Sequence, residues 1–142
     1  MIENERQYRV TKKRLAQFEA SRASLLATPR PEDLPPRLHR AMQESIESQL
    51  ADLRQELAEY DALKTQQVAT LELRSLSALP DLLIKARIAR GYTQAELARR
   101  LHLKPQQIQR YEATRYHSVS FNRLLEIARA LEVDLYETVR LS

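Results

Sequence analysis

Apolar positions along the chain change period once, and the change divides the sequence in two. Tyr8, Thr11, Leu15 and Phe18 step by three and four residues, the stripe of an amphipathic helix. The register continues to Leu25 but passes through Arg22, whose stem can lie on apolar surface while its charge stays in water. Asn4, followed three residues on by Gln7, is a start signal of the capping-box type. Pro29, Pro31, Pro35 and Pro36 end that helix and stiffen the connection to the next. A second helix is predicted from about Pro36 to Gln67, with Ile46, Leu50, Leu53, Leu57 and Tyr60 as a heptad-like seam. The two stripes predict an antiparallel helical hairpin over residues 1–70.

From about Leu79 the pattern shortens into helices that each carry their own punctuation. The first is predicted from Pro80 or Asp81 to Arg90, with Gly91 placed as a C-terminal stop. Thr93 and Glu96 form a capping box that opens the second, ending near Leu101. Pro105 opens the third, which reaches about Ala113, with Ile108 and Tyr111 as its inward face. Ser120 caps the fourth, with Phe121, Leu124, Ile127, Ala128 and Leu131 on one side. Asp134 and Glu137 predict a short fifth helix. The expected architecture is all-α: a coiled-coil arm over residues 1–70 and a five-helix domain over residues 71–142.

Composition narrows the class. One glycine and 43% hydrophobic residues argue against loop-rich β folds and glycine-rich phosphate cradles. Without cysteine there is no disulfide framework and no thiolate metal site. No apolar run is long enough to span a bilayer, and the first residues lack a signal-peptide pattern. The expected location is the cytoplasm. Residues 1–70 carry 11 basic and 11 acidic side chains, residues 71–142 carry 12 and 8, so the whole net charge of +4 lies in the second half.

That half also presents the chemistry of a base reader. At about 100° per residue, Gln106 and Arg110 stand one above the other on the side of the third helix opposite Ile108, with Gln107 and Gln109 on the flanks. Glutamine pairs bidentately with adenine N6 and N7, and arginine with guanine N7 and O6, each pair contributing roughly 1–3 kcal/mol of discrimination. Lys104, ahead of Pro105, is within reach of a phosphate. Arg99 and Arg100 fit phosphate contact and plain surface charge equally well.

The residues Arg87, Gly91, Thr93-Gln94-Ala95-Glu96-Leu97-Ala98, Ile108, Tyr111-Glu112 and the helix Leu124 to Leu131 resemble the phage-repressor-like (XRE or Cro type) helix-turn-helix family over roughly residues 79–140. The resemblance implies that Gln94 grips a backbone phosphate and that Gln106, Gln107 and Arg110 read bases. It also implies that Arg115 and Tyr116, in the loop after the reading helix, touch phosphate. The sequence departs from the pattern at His102, where the turn usually has glycine, and at Lys104, where the usual cap is serine or threonine.

No rival chemistry assembles from the remaining residues. His39, His102 and His117 are scattered without a ligand partner, so neither a metal site nor a cofactor is expected. Ser118, His117 and Asp134 lack the surroundings of a catalytic triad, and no enzymatic activity is expected. Three functions fit. One is a sequence-specific regulator of double-stranded DNA, a repressor acting as a homodimer. Another is an antitoxin whose arm binds a toxin protein and which regulates its own operon. The third is a coiled-coil interaction module without DNA binding.

Overall fold

The computed structural model describes all 142 residues, and every regular element in it is helical. The helices are α1 (Glu5–Ala27), α2 (Pro36–Lys64), α3 (Leu79–Ala89), α4 (Gln94–Arg100), α5 (Pro105–Ala113) and α6 (Phe121–Ala130), with a 3-10 turn at Leu76–Ala78 before α3. Two compact units divide the chain, Met1–Ala62 and Leu63–Ser142, the boundary falling in the last turn of α2.

In the first unit α1 and α2 run antiparallel, as four contacts establish. Tyr8 donates to Asp61 at 3.2 Å and Tyr60 to Glu5 at 3.3 Å, while Arg54 bonds Glu19 at 3.3 Å and Arg22 pairs with Glu47 at 3.5 Å. From Glu5 and Tyr8 to Glu19 and Arg22 the partners step back from residues 60 and 61 to 54 and 47, which is the signature of a hairpin. Asn4 caps α1 by accepting from the Gln7 amide at 2.9 Å, and the Gln7 side chain returns to the amide of Glu3, one residue earlier than a standard capping box. Tyr8, Thr11, Leu15, Phe18, Arg22 and Leu25 are all half-buried, so the stripe runs through Arg22 without a break. The Asp61 carboxylate, accepting the Tyr8 hydroxyl proton, pushes that phenol's pKa upward. α2 buries Leu50, Leu53, Leu57 and Tyr60, whereas α1 buries no residue fully.

The second unit has a denser centre. α3 contributes Leu83 and Ile84, α4 Leu97 and Ala98, α5 Ile108, and α6 Ile127 with Leu131 just beyond it, all with at most 1% of their surface exposed. Each helix stops in the same way. Gly91 has φ +73°, its amide bonds Ile88 O, and the Tyr92 amide bonds Arg87 O, the paired bonds of a Schellman stop. His102, Arg115 and Glu132 take the same left-handed place after α4, α5 and α6, with φ of 57°, 51° and 53°. Arg90 reaches from the end of α3 to the carbonyls of Leu131 and Glu132, satisfying acceptors that the end of α6 leaves open.

Two sequence expectations fail here. The fifth helix does not form: residues 134–142 carry no regular structure and all are exposed, Tyr136 by 92% and Leu141 by 90%. A capping pair cannot hold so short a helix without an apolar face to bury. Phe121 lies outside the core with 71% of its surface exposed, because as the first residue of α6 it precedes the turn where that helix meets the interior.

Candidate nucleic-acid interface

α4 and α5 pack against each other and are held by local bonds at both ends of the turn between them. Thr93 Oγ1 accepts the Glu96 amide at 3.1 Å, and Glu96 Oε2 accepts the Thr93 amide at 2.8 Å, which closes the capping box and starts α4. After Leu101 the chain turns at His102; the Leu103 amide bonds Ala98 O at 2.8 Å and the His102 amide bonds Arg99 O at 3.2 Å. The chain then enters α5 at Pro105, whose missing amide costs nothing at this position.

α5 buries one side and exposes the other. Ile108 is fully buried, Tyr111 half-buried, and Lys104, Gln106, Gln107, Gln109 and Arg110 are exposed. Gln107 has a local duty, since its Oε1 accepts the Lys104 amide at 3.1 Å. That bond is half of a capping box; lysine has no acceptor with which to complete it. Gln107 keeps its amide donors, while Gln106 and Arg110 carry no such tie.

Beneath this surface lies a buried ionic network. Arg87 Nε donates to Glu112 Oε1 at 2.5 Å and its Nη2 to Oε2 at 3.0 Å, a two-pronged pair with 3% and 1% of the side chains exposed. Arg87 Nη1 donates to Tyr92 O at 2.9 Å, and Gln94 Nε2 donates to Glu112 Oε2 at 2.7 Å. One carboxylate on α5 therefore fixes an arginine on α3 and the first side chain of α4. Gln94 retains one amide proton and its carbonyl oxygen.

Tyr116 requires a correction. Its side chain is 4% exposed, its hydroxyl is buried without a hydrogen-bond partner, and its amide is spent on Tyr111 O at 2.7 Å. A left-handed backbone (φ 57°) turns the ring inward, beside Tyr111 with centroids 6.3 Å apart, so it offers nothing to a phosphate. Burial and the nearby Glu112 carboxylate push the Tyr116 phenol's pKa upward against the opposing Arg87 charge. Arg115 remains at the surface, paired with Asp81 at 3.5 Å.

Residues 83–137 match the sequence profile of the family described as Helix-turn-helix. Residues 83–137 carry a helix-turn-helix domain of the phage-repressor type. Such a domain is the DNA-binding part of transcription regulators. No curated protein and no solved structure matches the chain. In this helix-turn-helix domain α4 and α5 are the paired helices, and α5 presents its polar edge outward. Sequence reasoning missed the Arg87–Glu112–Gln94 network. The available signal was Arg87 itself, a charge inside the apolar run Leu82 to Ile88 that has to find a partner when buried.

Proposed function

We propose that the chain is a sequence-specific double-stranded DNA-binding repressor that acts as a homodimer. Gln106 and Arg110 read base edges in the major groove, Gln107 contributes through its amide donors, and Lys104, Gln94 and Arg115 contact phosphates. The observation that carries this reading is an exposed row of amide and guanidinium groups on a helix whose opposite side is locked by Ile108 and the Glu112 network. A reading surface has to be rigid as well as polar, because bidentate pairing tolerates little misplacement. Arg115 exchanges a surface pair with Asp81, of little worth in water, for a phosphate.

A single domain of this size makes few contacts, and pairing two of them sets reading helices about 34 Å apart on one face of a near-palindromic site. Apolar surface in the hairpin supports the pairing. Leu26 is 66%, Leu38 54% and Met42 47% exposed, and Leu26 and Met42 lie at matching levels of the antiparallel register.

Selection of bound duplexes from a random pool tests the reading, followed by binding of the selected site and random DNA. Arg110→Ala is expected to relax preference at one base position, at a cost of about 1–3 kcal/mol on the selected site. Lys104→Ala is expected to weaken all sequences alike. An Arg110→Ala variant with an unchanged ratio of selected to random binding removes Arg110 from the reading surface, and a pool without enrichment removes the proposal.

A further inference from the structure

α1 carries a second electropositive surface, separate from the DNA contacts assigned to the helix-turn-helix domain. Residues 6–14 hold five basic side chains (Arg6, Arg9, Lys12, Lys13 and Arg14) and no acidic one. At 100° per residue, Arg6, Arg9 and Lys13 fall within about 60° of one another, opposite the stripe of Tyr8, Leu15 and Phe18 that faces α2. All three are exposed, and none forms an ion pair, unlike Arg22 and Arg54, which are paired with Glu47 and Glu19. Lys12 is turned aside over the Tyr8 ring, 5.5 Å from its centroid. From Arg6 to Lys13 the helix rises about 10 Å, a span over which a DNA strand offers about three phosphates.

We propose that the Arg6–Arg9–Lys13 face of α1 binds the phosphate backbone of the same duplex that the helix-turn-helix domain reads. The inference rests on that domain's reading of DNA. Unpaired cations in a row are complementary to a polyanion, and they carry no groups arranged to select a base. The hairpin is covalently joined to the domain, so once α5 is seated the second contact is intramolecular and proceeds at a high effective concentration. The face then adds affinity and salt dependence, and leaves sequence preference to α5.

The test uses the full chain in which Arg6, Arg9 and Lys13 are all replaced by glutamine, beside a charge-preserving chain with R6K, R9K and K13R. Binding to the selected duplex and to a random duplex of equal length is followed by fluorescence anisotropy across salt concentrations. Each lost phosphate contact is expected to flatten the log–log salt slope by about 0.9, so the glutamine variant loses up to about 3 in slope and at least ~10-fold in affinity at low salt. The loss is the same for both duplexes, and the charge-preserving chain keeps the native slope. Native slope and affinity in the glutamine variant overturn the proposal. So does a change in its sedimentation behaviour without DNA, which assigns the face to contact between copies. If the unaltered chain binds no duplex, the helix-turn-helix reading falls, and this proposal with it; that outcome is distinct from an altered chain that binds like the original.

Discussion

The hairpin and the helix-turn-helix domain use the same pair of residue types, arginine and glutamate, to opposite ends. Arg54 and Glu19 in the hairpin are about half-exposed at 47% and 45%, and their bond spans 3.3 Å of well-hydrated surface. Such pairs are worth at most about 1 kcal/mol. Arg87 and Glu112 in the domain are nearly sealed from water and doubly bonded, with Gln94 and Tyr92 filling further valences. A buried pair of this kind has lost its hydration, so removing one partner strands the charge of the other in the interior. The contrast separates an arm zipped by replaceable contacts from a domain in which one carboxylate ties α5 to α3 and α4.

The largest expected effect breaks that carboxylate. Glu112→Gln leaves the Arg87 guanidinium buried beside a neutral amide and is expected to cost about 3–5 kcal/mol of stability. Arg54→Gln in the hairpin is expected to cost no more than about 0.5 kcal/mol. Denaturant midpoints of the two variants, followed by circular dichroism, check the pair. Equal losses would mean that burial does not separate the two sites.

A smaller effect sharpens the view of the domain's interior. Tyr116→Phe removes a buried hydroxyl that has no partner, and the variant is expected to be about 1 kcal/mol more stable at neutral pH. The sign also fixes a pH window. The native phenol's pKa lies above the unfolded value of about 10, so the stability held by its neutral form is intact below about pH 10 and lost progressively above it. Thermal melts between pH 8 and pH 11 are expected to show a steeper alkaline decline in the unaltered protein than in Tyr116→Phe. Parallel curves would place the ring in solvent.

The same contrast between local and long-range causes decides what the sequence could disclose. Caps are local, so Asn4, Thr93 with Glu96, and Ser120 are legible, and the structure has each of them accepting the amide that its spacing predicts. The hairpin stripe is legible because a 3.6-residue period persists over many turns. Arg87 and Glu112 are 25 residues apart, and no spacing rule joins them. Tyr116 reads as a loop residue because only the two consecutive left-handed residues, Arg115 and Tyr116, turn it inward. The absent fifth helix marks the limit of local signals: Asp134 and Glu137 offer a cap, but Leu135, Tyr136, Val139 and Leu141 find no interior to fill. The outward face of α5 comes from periodicity alone, whereas its tie to α3 and α4 depends on the hidden pair.

The way the helices stop extends the comparison to the backbone and carries the smallest prediction. Of the hairpin's two helices, α1 ends at Thr28 in extended backbone (φ −98°), ahead of Pro29 and Pro31, whereas α2 is followed by Gln66 in the left-handed region (φ 57°). In the helix-turn-helix domain all four helices end in left-handed residues, and only Gly91 among the four is suited to that conformation. A side chain at φ near +57° crowds the following carbonyl at a cost of about 1–2 kcal/mol, whereas glycine gives back about 0.5–1 kcal/mol through the freedom of the unfolded chain. His102→Gly is therefore expected to stabilise the domain by roughly 0.5–1 kcal/mol. That corresponds to a rise in melting temperature of about 4 °C for a unit of this size. No atom lies within 4 Å of the place a Cβ would occupy at Gly91, so Gly91→Ala isolates the conformational cost and is expected to shift the melt by a similar amount in the opposite direction. If His102→Gly lowered the melting temperature, the imidazole would be contributing a contact worth more than the strain it imposes, and the turn between α4 and α5 would owe its shape to that side chain as well as to the Leu103–Ala98 bond.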